Sequence, residues 1–223
     1  MKKFIAFIAP HRTGFLLGSL LLLASLAWWA LEMIARARGV VLVTSLPPMF
    51  LHGYLMLYGF FPLFMLGFIY TAGPRWLNVA PPALSRYVPV MLGYAAGTLF
   101  VLAGGWFDVL LPLGILLHAI GWTGAVLLWL GRIRASQVPG RRHASLIACA
   151  FALGLGGQLL ALYWSVGHGF IAWQASVDIG VWGFLLPVFL TVSHRMVPFF
   201  SSNVLTAYSV WNPPGLLFSL VGL

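Results

Sequence analysis

Six times along its length the chain runs for about 20 residues with almost no charge, the distance an α-helix needs to cross the hydrocarbon of a bilayer. In that medium each backbone N–H and C=O must be satisfied within the chain, so a span of this kind folds as a helix. The runs predict helices over 14–35, 48–72, 86–104, 107–131, 144–166 and 171–193. The fold class is therefore an all-α, polytopic transmembrane bundle, a single integral-membrane domain over 1–223. A seventh apolar run begins at Pro213 and has eleven residues, about 16 Å as a helix, half a bilayer. The expectation is a fragment of a longer bundle. Only 7% of the residues are charged, against about 25% in a soluble domain, which removes water-exposed folds from consideration.

The formal net charge is +9, but the basic residues sit in short groups between spans, as orientation signals beside anionic lipid do, and not in a nucleic-acid patch. Ten of the twelve fall on the N-terminal side: Lys2, Lys3, Arg12, Arg75, Arg86, Arg132, Arg134, Arg141, Arg142 and Arg195. Only Arg36 and Arg38 fall opposite, so the positive-inside rule puts the N-terminus in the cytoplasm. Trp28, Trp29, Trp106, Trp164 and Trp173 at the outer ends, with Trp76 and Trp129 at the inner ends, form an expected aromatic belt. Cys149, alone of its kind, reads as a small packing residue. Gly14 with Gly18, Gly93 with Gly97, and Gly154, Gly156 and Gly157 are candidates for close helix approach. Pro62 and Pro187 should kink the second and sixth helices.

Ionisable side chains inside spans are costly and are functional candidates by default. They are Glu32, His52, His118 and Asp178, with His168 and His194 at helix ends. Glu32 is four residues from Arg36 and is expected to form a surface ion pair; Asp108 reads as a helix-start residue. With the N-terminus inside, His52 lies about 6 Å, Asp178 about 10 Å and His118 about 16 Å from the outer start of their helices. Neutral imidazoles at such depths suit haem iron, copper or zinc, or a hydrogen bond to a neighbouring helix. Met56, four residues past His52, is a soft second ligand or a packing residue. There is no CxxCH for covalent haem, no phosphate-binding glycine loop and no HExxH, and three acidic residues in all leave little for carboxylate chemistry.

Two stretches resemble the NnrS family. One is His52-Gly-Tyr-Leu-Met-Leu-Tyr-Gly-Phe, followed by Gly67-Phe, Thr71-Ala72, Pro74 and Trp76; it is similar to that family's HxHEMxFGF, GFLLTA and PNW patterns. The other, His194-Arg-Met-Val-Pro-Phe-Phe-Ser, is similar to its RMIPFFT pattern. Tyr54 stands where the family pattern has a second histidine and Leu55 where it has glutamate, while Arg75 replaces the more frequent asparagine. The resemblance implies a multi-pass protein of the bacterial inner membrane with non-covalent b-type haem, and with copper as a further candidate. It also implies a link to nitric oxide, in denitrification or nitrosative stress.

On this reading His52 and His118 are the first candidate ligands to haem or metal, Met56 and Tyr54 the second, and His194 is carried over by its motif. His194 cannot share a metal with His52 from the other side of the bilayer. Arg75 and Arg195 are either propionate partners or orientation charges. Two other classes stay open. A cofactor-free permease for a small solute would use Pro62, Pro187, Asp178 and Gln158 in a broken-helix pathway. A passive assembly subunit of a respiratory or denitrification complex would co-purify with a larger partner; a homo-oligomer or a respiratory partner is the expected association.

Overall fold

In the computed structural model, which describes residues 9–167, 169–205 and 213–221, every regular element is helical. The first span is α1, Pro10–Ala37. The second, Pro48–Trp76, is three pieces: α2 over Pro48–Tyr54, a π-helical turn over Leu55–Gly59 and α3 over Phe61–Trp76. The next three are α4 (Leu84–Ala103), α5 (Leu110–Ala135) and α6 (Arg142–Ser165). The sixth, Phe170–Val204, is again in three pieces: α7 (Phe170–Asp178), a π segment over Ile179–Leu185 and α8 (Leu186–Val204). The seventh apolar run forms α9, Pro214–Val221. All six expected spans are present, each long and apolar enough to cross a membrane.

Their alternation gives the bundle a basic end, carrying Arg12, Arg75, Arg86, Arg195 and the α5–α6 connection, and a far end carrying Arg36 and Arg38. Lys2, Lys3 and His168 lie outside the described residues. The second span is central: 56% of its apolar stretch is buried, against 28% for α1 and 28% for the sixth span. The outward faces remain greasy, with Leu23, Leu127, Trp182 and Phe189 all more than 60% exposed, as a lipid solvent requires.

The two prolines act differently from interior kinks. Pro62 and Pro187 each occupy the first turn of a new α-helix, and each follows a π segment. A proline has no N–H for the carbonyl four residues back and its ring crowds that carbonyl. Widening the preceding turn relieves the crowding and turns carbonyls sideways. Helix ends also move outward from the apolar runs. α3 continues past residue 72, through Pro74 to Trp76, and the sixth span runs on past His194 and Arg195 to Val204.

Small residues set the closest approaches, though not all those expected. Gly14 meets the backbone of Leu63 and Gly67, joining α1 to α3. Gly97 and Gly114 interlock α4 and α5: a methyl on Gly97 would stand 2.6 Å from the His118 ring, and one on Gly114 would stand 2.6 Å from the Val101 nitrogen. Gly93 and Gly156 face open space, because four-residue spacing puts a glycine on one helix face without deciding what packs there.

Several other sequence expectations are corrected. Trp129 is fully buried, and its indole N–H donates to the Ala144 carbonyl at 3.0 Å; it is a core residue and not part of a belt. Trp28 and Trp173 are buried as well, while Trp106 is exposed. Asp108 caps nothing with its carboxylate; its carbonyl accepts the Leu111 N–H. Cys149 is exposed on the outside of α6. Glu32 does pair with Arg36, at 2.6 Å, but the carboxylate itself is buried.

Candidate functional site

The centre of the bundle holds a buried layer of polar side chains, and the π turn of the second span produces it. Pro62 leaves the Tyr58 carbonyl without its helical donor. The Tyr94 hydroxyl of α4 supplies one at 2.6 Å. Thr98, one turn on, donates to the Gly59 carbonyl at 2.9 Å. Thr98 has a single hydroxyl proton, so toward His118 Nε2, 2.9 Å away, it acts as acceptor. His118 is thereby assigned the tautomer with its proton on Nε2, and its Nδ1 accepts from the Tyr54 hydroxyl at 2.9 Å. The chain Tyr54–His118–Thr98–Gly59 thus ties α2, α5 and α4 to the π turn.

A second branch leaves Tyr94. Its oxygen accepts from Gln158 Nε2 of α6 at 3.2 Å. Tyr58 donates to the Ser176 carbonyl at 2.7 Å, and the Ser176 hydroxyl donates to the Gly157 carbonyl at 2.7 Å, so α7 joins the layer. Gly157 and Gly180 are there because a β-carbon on either would collide with the Tyr58 hydroxyl. The rings of Tyr94 and Tyr54 lie nearly parallel to that of His118, with centroids 4.3 Å and 5.6 Å away.

His52 and His118 lie at similar depth, since Tyr54 is two residues past His52 and touches His118. They are not brought together. Residues two apart on a helix point to different sides. His52 faces α1, where its ring stacks on Trp29 at 4.0 Å and 15°. His118 has both ring nitrogens engaged and no exposure. His52 is half-buried and its Nδ1, enclosed, has no partner. The two histidines therefore differ in chemical availability. A ligand at His118 would have to displace Tyr54 or Thr98, whereas the Nδ1 of His52 has no protein hydrogen bond to lose. Met56 is half-buried across the start of the π turn, whose i→i+5 bonding shifts the one-turn register that an unbroken α-helix would give with His52.

His194 is at the basic end, in α8, with Nδ1 3.0 Å from Nε2 of His143 at the start of α6; its own Nε2 is buried and unpartnered. That end is separated from His52 by the length of the second span, as the sequence indicates. Beside it the two motif stretches converge. Thr71, Arg75 and Trp76 of α3 and Arg195, Phe199 and Ser202 of α8 line one cavity of about 520 Å³. The Arg195 guanidinium lies over the Trp76 ring, 5.1 Å from its centroid. Asp178, in contrast, is on the exposed side of α7, away from the polar layer that contains Gln158. Among the described residues no three His, Cys, Asp or Glu side chains cluster as a metal site.

Sequence reading missed Tyr58, Tyr94, Thr98, Ser176 and His143. The available signal was the tyrosines inside spans: a buried phenol needs a partner, and Pro62 announces a carbonyl in need of a donor.

Fold and site together define a polytopic membrane protein with a hydrogen-bonded polar layer in its interior and a cationic cavity at one end. The family model described as NnrS protein matches residues 5–223, nearly the whole chain, and the protein belongs to the NnrS family. No curated protein and no solved structure is significantly similar to it.

Proposed function

We propose that this is a haem-binding protein of the bacterial inner membrane, with its N-terminus in the cytoplasm, acting in the response to nitric oxide or in denitrification. Membership of the NnrS family supports that setting. The observation that carries haem binding is His52: an imidazole inside a span with an enclosed, unpartnered Nδ1 and its ring held flat against Trp29. A buried polar atom without a partner is unfavourable, and an iron or a soft metal such as copper would relieve it. Haem supplies an iron that binds nitric oxide and changes oxidation state. The chain supplies an imidazole, an indole wall that fixes the ring plane, and an apolar surround that excludes water. His118 then serves as the rigid tie that keeps α2 in register, and Tyr54 is its partner, not an open ligand.

The test is an absorption spectrum of the full-length protein in detergent, oxidised and then reduced with dithionite. A Soret band that shifts on reduction, and again with nitric oxide, is the expected result. His52→Ala should lose most of it while the protein stays folded. A full haem complement in that variant would refute His52 as the ligand. Cysteines placed near Arg134 should react with an impermeant maleimide only from the cytoplasmic side.

One observation favours a second reading, a small-solute permease. The second and sixth spans are both broken by π segments, and the buried Gln158 Oε1 has no partner. Broken helices and spare polar atoms at mid-membrane suit solute binding. A featureless spectrum from haem-replete cells would select that reading.

A further inference from the structure

The cavity between the two motif stretches has cations and, among the described residues, no counter-ion. Arg75 comes from the last turn of α3 and Arg195 from α8, and both line it. Arg195 is half-buried and held over Trp76. The chain has only three acidic residues to offer, Glu32, Asp108 and Asp178. Glu32 is near the end of α1 and paired with Arg36, Asp108 is in the α4–α5 connection, and Asp178 ends α7. All three belong to the far half of the bundle, so no Asp or Glu side chain reaches the basic end. The two hydroxyls in the lining are already committed as donors: Thr71 to the Gly67 carbonyl at 2.8 Å and Ser202 to the Phe199 carbonyl at 2.9 Å. The donors left in the cavity are therefore the guanidinium N–H groups and the Trp76 indole N–H, beside the Phe199 ring at the basic ends of α3 and α8.

We propose that this cavity binds the phosphate of an anionic phospholipid from the adjoining leaflet. A planar guanidinium gives a phosphodiester two parallel hydrogen bonds, and two such groups from different helices hold one headgroup between them. Trp76, Phe199 and Met196 offer the glycerol and first methylenes an apolar wall. Basic clefts between spans bind acidic lipids by this chemistry. The lipid then clasps α3 to α8, whose described contact across the cavity is the Arg195–Trp76 pair. The inference does not rest on the haem reading, and a protein without haem would bind the lipid equally.

The experiment is thermal unfolding of the full-length protein in neutral detergent, with lipid added. Phosphatidylglycerol should raise the midpoint; phosphatidylcholine and diacylglycerol, zwitterionic and phosphate-free, should not. The double variant R75Q/R195Q should lose the rise, whereas R134Q/R142Q, at the same end but outside the cavity, should keep it. If R75Q/R195Q does not fold, R195K serves: it keeps the charge and loses the fork, and should bind phosphatidylglycerol more weakly by native mass spectrometry. An undiminished rise in R75Q/R195Q, or an R195K affinity equal to that of the wild type, overturns the proposal. So does an equal rise with phosphatidylcholine. A full rise with inorganic phosphate alone would identify a soluble-anion site and overturn the lipid as its occupant.

Discussion

Replacing Thr98 with valine tests whether the polar layer holds the bundle together. The two side chains have the same shape, so packing around Thr98, which is fully buried, is preserved. Two hydrogen bonds disappear: the one donated to the Gly59 carbonyl and the one accepted from His118 Nε2–H. Within membranes a side-chain hydrogen bond averages about 0.6 kcal/mol and reaches about 1.7. Stranding two buried groups without water nearby puts the cost at about 1–3 kcal/mol. Tyr70→Phe removes one bond, to the Ala125 carbonyl, and should cost about half as much. Thr123→Val removes a bond to the carbonyl one turn back in its own helix and should cost under about 0.5 kcal/mol. The assay is unfolding in detergent by added dodecyl sulfate, followed by tryptophan fluorescence. The order Thr98 > Tyr70 > Thr123 is the result that fits; a Thr98→Val protein as stable as the wild type would refute the layer as a structural tie.

Other substitutions separate structure from ligation. His118→Ala strands Tyr54 and Thr98 and opens a cavity, so it should destabilise by about 2–4 kcal/mol yet keep its haem per folded molecule, read from the Soret-to-protein absorbance ratio. Gly97→Ala drives a methyl to 2.6 Å from the His118 ring and 2.9 Å from the Gly114 carbonyl and should cost about 1–3 kcal/mol in the same unfolding assay. Gly93→Ala, one turn away with nothing within 4 Å, should be neutral or stabilise by up to about 1 kcal/mol. Trp29→Leu removes the surface on which the His52 ring rests and should broaden or shift the Soret band without abolishing it.

Six spans, their order and the charge asymmetry between the two ends were legible in the chain, because the demand of a bilayer on a helix is one-dimensional. So was the family, through two motifs far apart in sequence. The candidate histidines were legible as a set, since a histidine inside a span is rare and costly. Their division of labour was not. The sequence places both His52 and His118 in the outer half of the bundle; only the direction in which each ring points, and what meets it, leaves one with an unpartnered nitrogen and makes the other a bridged tie. Trp129 shows the same limit, since a tryptophan near a helix end is a belt residue or a core residue according to which neighbour covers it.

The amino-acid sequence by itself determined the medium, the number of crossings and the segments carrying chemistry. Apolar length and charge placement act locally, residue by residue along a helix axis, and need no partner to be read. The tertiary structure alone decided the polar layer and the basic cavity. Both arise where groups distant in sequence meet: Pro62 frees a carbonyl that Tyr94 answers, and α3 and α8 bring Arg75 and Arg195 to one cleft. In a bilayer core no water corrects an unpaired group, so such meetings are specified by helix packing and not by the helices taken singly.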